Sequence, residues 1–312
     1  MRLTLILAIF SASLVLSQDR CDAAKTVIKC HNVTEIMALE SSECQPYHIF
    51  IARGTDEKSP GRQGNVTRLI CDKLGRERCG WEGLDFPAKS RFVGQKAWCE
   101  SAEIGVKNGQ TQLHTYAARC PESKLILLGY SQGASIVQDM LGGGGGHFWK
   151  CDQASNRALD RQVSPGSNIV AAVTFGSVAR SGGQPYAVKE GREFNGTRTR
   201  TPEQVRGLNQ YASQLRDYCN FGDPICARES QPQSLQNHLT YFELYSEEIV
   251  SWVVKTVRKS EYRSLLSSPY WLIGATLFFV ALSWSVLYFY SSFRRSFSRG
   301  AYYLLPREEG TP

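Results

Sequence analysis

The stretch Lys124-Leu125-Ile126-Leu127-Leu128-Gly129-Tyr130-Ser131-Gln132-Gly133 runs an apolar segment into a serine with a glycine two residues away on either side. The apolar segment reads as a buried strand, and Gln132–Leu141 beyond it carries enough spaced apolar residues for a helix. A strand before and a helix after give the G-x-S-x-G pattern its meaning. A serine on so sharp a turn has a strained backbone, and the residues two before and two after approach too closely for any but small side chains. Gly129 and Gly133 meet that need. The turn would lift the Ser131 hydroxyl above the sheet edge at a helix N-terminus, where backbone N–H groups favour a developing oxyanion. Ser131 is the candidate nucleophile; the bland alternative is a glycine-rich turn without function.

Outward from this turn, Tyr47–Ala52 and Ile169–Phe175 read as two further strands, apolar enough to imply a sheet covered on both faces. Asn65–Leu74, Ala97–Ala118 and Ser246–Arg258 have helical spacing, with Ile249, Val250, Trp252 and Val253 on the last one's buried side. This order predicts a mostly parallel α/β layer architecture. The glycine run 142–146 must end the preceding helix, and 151–168 and 181–207 read as polar and irregular. No internal repeat or second domain is visible.

A serine nucleophile needs a base. Of His31, His48, His114, His147 and His238, only the last two follow Ser131, as the order serine, acid, histidine requires. His147 abuts the glycine run, and the only carboxylate between it and Ser131 is Asp139, on the serine's own helix. His238 follows Asp223 by 15 residues, and Asp223 lies in a loop bracketed by Cys219 and Cys226. A fixed acid orients the imidazole and stabilises its protonated form. Asp217 is the substitute acid, and a surface histidine and a turn aspartate are the bland readings of the pair. His48 packs in its strand or reaches solvent at the sheet edge. One oxyanion donor would be the Gln132 N–H; the other would come from the loop Arg53-Gly54-Thr55-Asp56-Glu57, where Thr55 offers an N–H and a hydroxyl. The alternative there is a polar turn.

At these residues the chain resembles the fungal cutinases and acetylxylan esterases. The resemblance rests on Ile51-Ala52-Arg53-Gly54-Thr55 with Glu57, on Cys120-Pro121 followed by the strand and Gly129 to Ala134, and on the glycine run. Val173-Thr174-Phe175-Gly176 and Cys219 to Cys226 followed by His238 complete it, over roughly Cys44 to Val254. It implies a three-layer α/β-hydrolase sandwich with a largely open site. It also implies Ser131 as nucleophile, Asp223 as acid, His238 as base, Thr55 and Gln132 as the oxyanion hole, and disulfides Cys44–Cys120 and Cys219–Cys226. Three departures stand out. Leu141 takes a position where such esterases often carry a cysteine, so Cys151 needs another partner, for which Cys99 is the candidate. The common Phe-Gly-Asp-Pro is here Phe175-Gly176-Ser177-Val178. The apolar C-terminal segment lies outside the pattern.

Met1 and Arg2 precede an apolar run from Leu3 to Leu16, a signal peptide over residues 1–17 with the mature start near Gln18. From Ser264 to Phe293 there is no Asp, Glu, Lys or Arg, and the 21 residues from Tyr270 to Tyr290 suffice to cross about 30 Å of hydrocarbon. This reads as one C-terminal transmembrane helix over 269–291, with an extracytoplasmic domain at 18–268 and a cytoplasmic tail at 292–312. A buried core helix or a glycolipid-anchor signal fits the segment less well. Arg294, Arg295 and Arg299 follow the span, but Lys255, Arg258, Lys259 and Arg263 precede it, so the cleaved leader fixes the orientation. Ten cysteines between leader and span predict five disulfides in an exported domain, and Asn32, Asn65 and Asn195 begin glycosylation sequons.

The formal charge is +7; Arg2 accounts for one and the tail, four arginines against two glutamates, for two, leaving about +4. That is too weak and scattered for nucleic acid. No C-x-x-C or H-E-x-x-H spacing supports a metal, and the chemistry needs no cofactor. The expectation is a cell-surface, membrane-anchored serine esterase acting on carboxylic esters with short acyl chains, as in a cutin-like polymer or an acetylated polysaccharide. Acyl transfer by the same residues and a non-catalytic binding glycoprotein on a hydrolase scaffold are the rivals. Oligomeric state is not legible.

Overall fold

The computed structural model describes residues 33–267, 279–291 and 294. By contact density the chain divides into two units, Met1–Arg258 and Lys259–Pro312. In the first, six parallel strands form one sheet: β1 (Tyr47–Ala52), β2 (Cys79–Gly83), β3 (Lys124–Tyr130), β6 (Ile169–Phe175), β7 (Ala187–Val188) and β8 (Leu215–Tyr218), in the order β2-β1-β3-β6-β8-β7. The helices are α1 (Val33–Met37), α2 (Gly64–Leu74), α3 (Gln95–Arg119), α4 (Gln132–Gly142), α5 (Pro202–Asn209), α6 (Leu235–Leu239) and α7 (Tyr241–Ser267).

The apolar central strands have a simple cause. Side chains alternate faces along a strand, so Phe50 and Ala52 of β1, with Leu125 and Leu127 of β3, meet α3 and α4 through Val106, Leu113, Ile136 and Met140. Ile49, Ile51, Ile126 and Leu128 point the other way, onto Val66 and Ile70 of α2 and Ile249, Val253 and Val257 of α7. Both faces are covered, so no polar face survives. His48 is fully buried on β1, which is interior to the sheet, and stacks on Tyr116 at 4.0 Å between ring centroids.

Two expectations require correction. The glycine run does end α4, but it continues as β4 (Gly144–Phe148), paired antiparallel with β5 (Cys151–Asn156), so 151–168 is not irregular throughout. Segment 181–207 likewise holds β7 and the start of α5, whose Thr201 side chain caps Gln204 in a capping box. Among the described residues four disulfides form: Cys44–Cys120, Cys71–Cys79, Cys99–Cys151 and Cys219–Cys226. The expected signal peptide, Cys21, Cys30, Asn32, most of the expected tail and part of the expected span 269–291 lie outside the described residues. Among the described residues, no helix is long and apolar enough to cross a membrane. Residues 279–291 are helical, with large apolar side chains exposed.

Candidate active site

Ser131 sits between the last residue of β3 and the first of α4 with φ +56° and ψ −113°, a positive-φ conformation outside the allowed basins of a non-glycine residue that costs on the order of 1–3 kcal/mol. The turn is held by the Ser131 N–H donating to the Phe175 carbonyl of β6 at 2.8 Å. Its glycines are steric necessities. A Cβ on Gly133 would stand 1.9 Å from the Ala52 carbonyl oxygen, and one on Gly129 would stand 2.6 Å from the Gly133 carbonyl oxygen. That closeness brings the end of β1, and the loop after it, against the serine.

His238, on the short helix α6, places Nε2 3.0 Å from Ser131 Oγ and Nδ1 2.8 Å from Asp223 Oδ2. Asp223 is fully buried yet well supplied with donors. Its Oδ2 also accepts from Tyr241 Oη at 2.5 Å, and its Oδ1 accepts the N–H of Ile225 at 2.7 Å and of Cys226 at 3.3 Å. Burial pushes this carboxyl's pKa up, but the charge of His238 and the hydrogen bonds from His238, Tyr241 and Ile225 outweigh it and hold the group below its ordinary 3.8. The Cys219–Cys226 bridge closes the loop that carries it.

Gln132 and Thr55 are the residues expected to donate to an oxyanion, and Gln132 directly follows the serine. Gln132 is the first residue of α4, and the first N–H groups of a helix have no partner within it. Its side chain is fully buried and immobilised, accepting from Ser101 Oγ at 3.2 Å and donating to the Trp98 carbonyl at 3.0 Å. Thr55 lines the same cleft. Its loop is fixed by the Gly54 N–H on Glu57 Oε2 (2.9 Å), by Arg53 on the Glu57 and Phe86 carbonyls (2.7 and 2.6 Å), and by Arg62 beside Glu57 Oε1 at 3.0 Å. Burial raises the Glu57 pKa, with Arg62 opposing.

The remaining candidates go elsewhere. Asp217 accepts from Arg180 Nε (2.6 Å), Thr174 Oγ1 (2.8 Å) and Gln138 Nε2 (2.8 Å) in a buried network away from His238. His147 pairs with Asp152 on the β4–β5 hairpin at 2.9 Å, and Asp139 is taken by Arg200 at 2.7 Å. Ser177, at the altered Phe-Gly-Ser-Val position, is buried against Ser135, while Val178 lines the cleft. Sequence reasoning missed Tyr241, and also Tyr130, whose Oη donates to the His238 carbonyl at 2.9 Å. Nothing local in the sequence signals Tyr241, whose Oη meets Asp223, Asn220 and Cys226 only through the packing of α7 on their loop. The cleft has a volume of about 710 Å³, with Thr55, Ser131, Trp149, Val178, Ile225 and His238 among its walls.

A family model described as Cutinase matches residues 43–257. The chain belongs to the cutinase family. It is 25% identical over 217 residues to an acetylxylan esterase of Hypocrea jecorina, covering 68% of this chain and 67% of that protein. To Cutinase 11 of Verticillium dahliae it is 28% identical over 197 residues, covering 60% of this chain and 62% of the relative. The chain thus spans about two thirds or less of these relatives' lengths. The catalytic core domain of acetyl xylan esterase from Trichoderma reesei shares the fold, with a TM-score of 0.57, 23% identity, and 69% of this chain and 100% of that chain covered. Membership makes the chain a carboxylic ester hydrolase.

Proposed function

We propose that Ser131 is the nucleophile of a serine esterase, with His238 as base, Asp223 as acid and the N–H groups of Thr55 and Gln132 as oxyanion hole. The observation that carries this is the unbroken hydrogen-bond chain from Ser131 Oγ through both ring nitrogens of His238 to Asp223. Ser131 Oγ attacks the ester carbonyl while His238 Nε2 takes its proton, and Asp223 holds the imidazolium that results. The oxyanion forms against the two N–H groups. Collapse expels the alcohol with the proton from His238; water, deprotonated by the same nitrogen, then releases the acid. Acetyl and other short acyl esters are the expected substrates, by likeness to esterases that bear such names.

The extracellular placement draws on the paired cysteines of the described domain, which suit an oxidising compartment. Residues 1–17 serve as leader, 18–268 face outward, 269–291 anchor the chain in a membrane and 292–312 form the inner tail. The uncharged segment from Ser264 to Phe293, and the exposed apolar side chains of Phe279 to Tyr290, support the anchor. Asn65, exposed on α2, and Asn195 would carry glycans, with Asn32 a third acceptor.

Hydrolysis of 4-nitrophenyl acetate, butyrate and longer esters by the full chain tests the reading, beside its Ser131→Ala and His238→Ala forms. Each substitution is expected to lower kcat by about 10⁴-fold or more. A folded parent without turnover, or a Ser131→Ala form with parental activity, refutes it. Recovery of active enzyme wholly in the soluble fraction with the span absent would refute the anchor.

A further inference from the structure

Beside the catalytic cleft lies a second groove of about 480 Å³, which shares Trp149, Thr197 and Arg228 with it. The two therefore adjoin across these residues. The second groove also takes in His147, Phe148 and Arg198, and its one carboxylate among the described residues is Glu229.

Arg198 is the unusual member. It is half-buried, its guanidinium packs over the Phe148 ring at 5.0 Å, and its Nη1 is buried with no hydrogen-bond partner. Among the described residues it has no ion-pair partner. Asp139, the carboxylate that acts on it electrostatically, is already bonded to Arg200 and to Gln153 Nε2. Burial accordingly lowers the Arg198 pKa, with Asp139 opposing. Arg228, exposed on the wall between the grooves, likewise has no carboxylate at ion-pair distance among the described residues. Neither does Arg91, whose guanidinium lies 5.7 Å from the Trp149 ring centroid. A half-buried guanidinium with unspent donors is costly unless an anion meets it, and a planar fork of N–H groups matches a carboxylate or phosphate.

We infer that this groove is a subsite for an anionic group, a carboxylate or a phosphate, on the same molecule whose ester lies at Ser131, held by Arg198 and Arg228. The substrate class is thus an anionic ester, such as an acylated acidic sugar. This rests on the esterase reading above.

The test compares kcat and KM of the full chain on three acetyl esters: an acetylated neutral oligosaccharide, an acetylated uronic-acid oligosaccharide and an acetylated sugar phosphate. Each is measured with the parent, Arg198→Gln, Arg228→Gln and Arg198→Lys. The parent should show a KM at least about 10-fold lower for one of the anionic esters than for the neutral one, and which one identifies the anion. Both Gln variants should erase that preference through KM, with kcat changed less than about two-fold and the neutral ester unaffected. Arg198→Lys should retain part of it, and added salt should shrink it. Should Arg198→Gln fail to fold, the exposed Arg228→Gln carries the comparison. Equal KM for all three esters in the parent overturns the subsite, as does equal damage to neutral and anionic esters in the variants. No turnover of any ester by folded parent overturns the esterase reading itself.

Discussion

Asp223 shows how one residue's surroundings decide its role. The buried carboxylate is met by two side-chain and two backbone donors, which satisfy both oxygens and keep it ionised. Asp223→Asn should preserve the fold but present an amide to His238 Nδ1, favouring the wrong tautomer, and lower kcat by about 10⁴-fold. Hydrolysis of 4-nitrophenyl acetate reads this, and parental activity would remove Asp223 from the mechanism. Tyr241→Phe deletes the charge-assisted bond to Asp223 and the bond that Oη accepts from the Asn220 N–H, and should cost about 2 kcal/mol of stability at neutral pH. The sign of the pH dependence follows from the lowered folded pKa. The stabilisation is present above the ordinary 3.8 and is lost as pH falls through the folded value. Urea midpoints of parent and Tyr241→Phe should therefore differ most at pH 6–7, and the gap should narrow only as pH falls below 3.8 through the folded value. A difference that persists unchanged into acid would show that the bond to Asp223 contributes nothing and that Tyr241 acts through packing and its bond to Asn220. Ser131, Asp223 and His238 were legible because local pattern and chain order single them out; Tyr241 was not, because it matters only once α7 folds back on the Cys219–Cys226 loop.

At the level of elements, the sequence spoke clearly where a segment is long and its pattern regular. The buried strands β1, β3 and β6 and the helices α2, α3 and α4 come within about two residues of their predicted bounds. The elements not foreseen are short and depend on tertiary partners. β8 carries Arg216 and Asp217 in four residues, and Asp217 is accommodated in the interior by Arg180, distant in sequence, together with Thr174 and Gln138. β4 is glycine-rich, contrary to strand propensity, and its hairpin is tied to α3 through Cys99–Cys151. The capping box at Thr201 and Gln204, with Pro202 at the first helical position, was visible in the sequence and would have located α5. The Cys219–Cys226 bridge closes a short loop and should stabilise by roughly 2–3 kcal/mol on chain entropy. Its more specific effect is to hold Asp223 in register with α6. The paired Cys219→Ser, Cys226→Ser variant should thus lose kcat more than it gains KM, as steady-state ester hydrolysis would reveal. Unchanged kcat with a lower unfolding temperature would limit the bridge to stability.

Across the whole domain, the sheet with a packed core on each face buries several phenols where water cannot solvate a phenolate. Burial pushes the Tyr211 pKa up to about 12, those of Tyr130, Tyr186 and Tyr218 higher still, and that of Tyr241 well above its ordinary value. These residues sit on both cores: Tyr186 and Tyr211 on one, Tyr130, Tyr218 and Tyr241 on the other. Unfolded chain ionises its tyrosines near the ordinary 10, so above that pH the unfolded state sheds protons the folded state retains. Stability should fall steadily as pH rises beyond 10, on both sides of the sheet at once. Absorbance at 295 nm would then report two populations: exposed tyrosines titrating near 10, and a later, cooperative rise that coincides with loss of the far-ultraviolet circular dichroism signal. A smooth titration of every tyrosine near 10 with the dichroism intact would mean that the cores admit water, and the two-sided packing described above would be wrong.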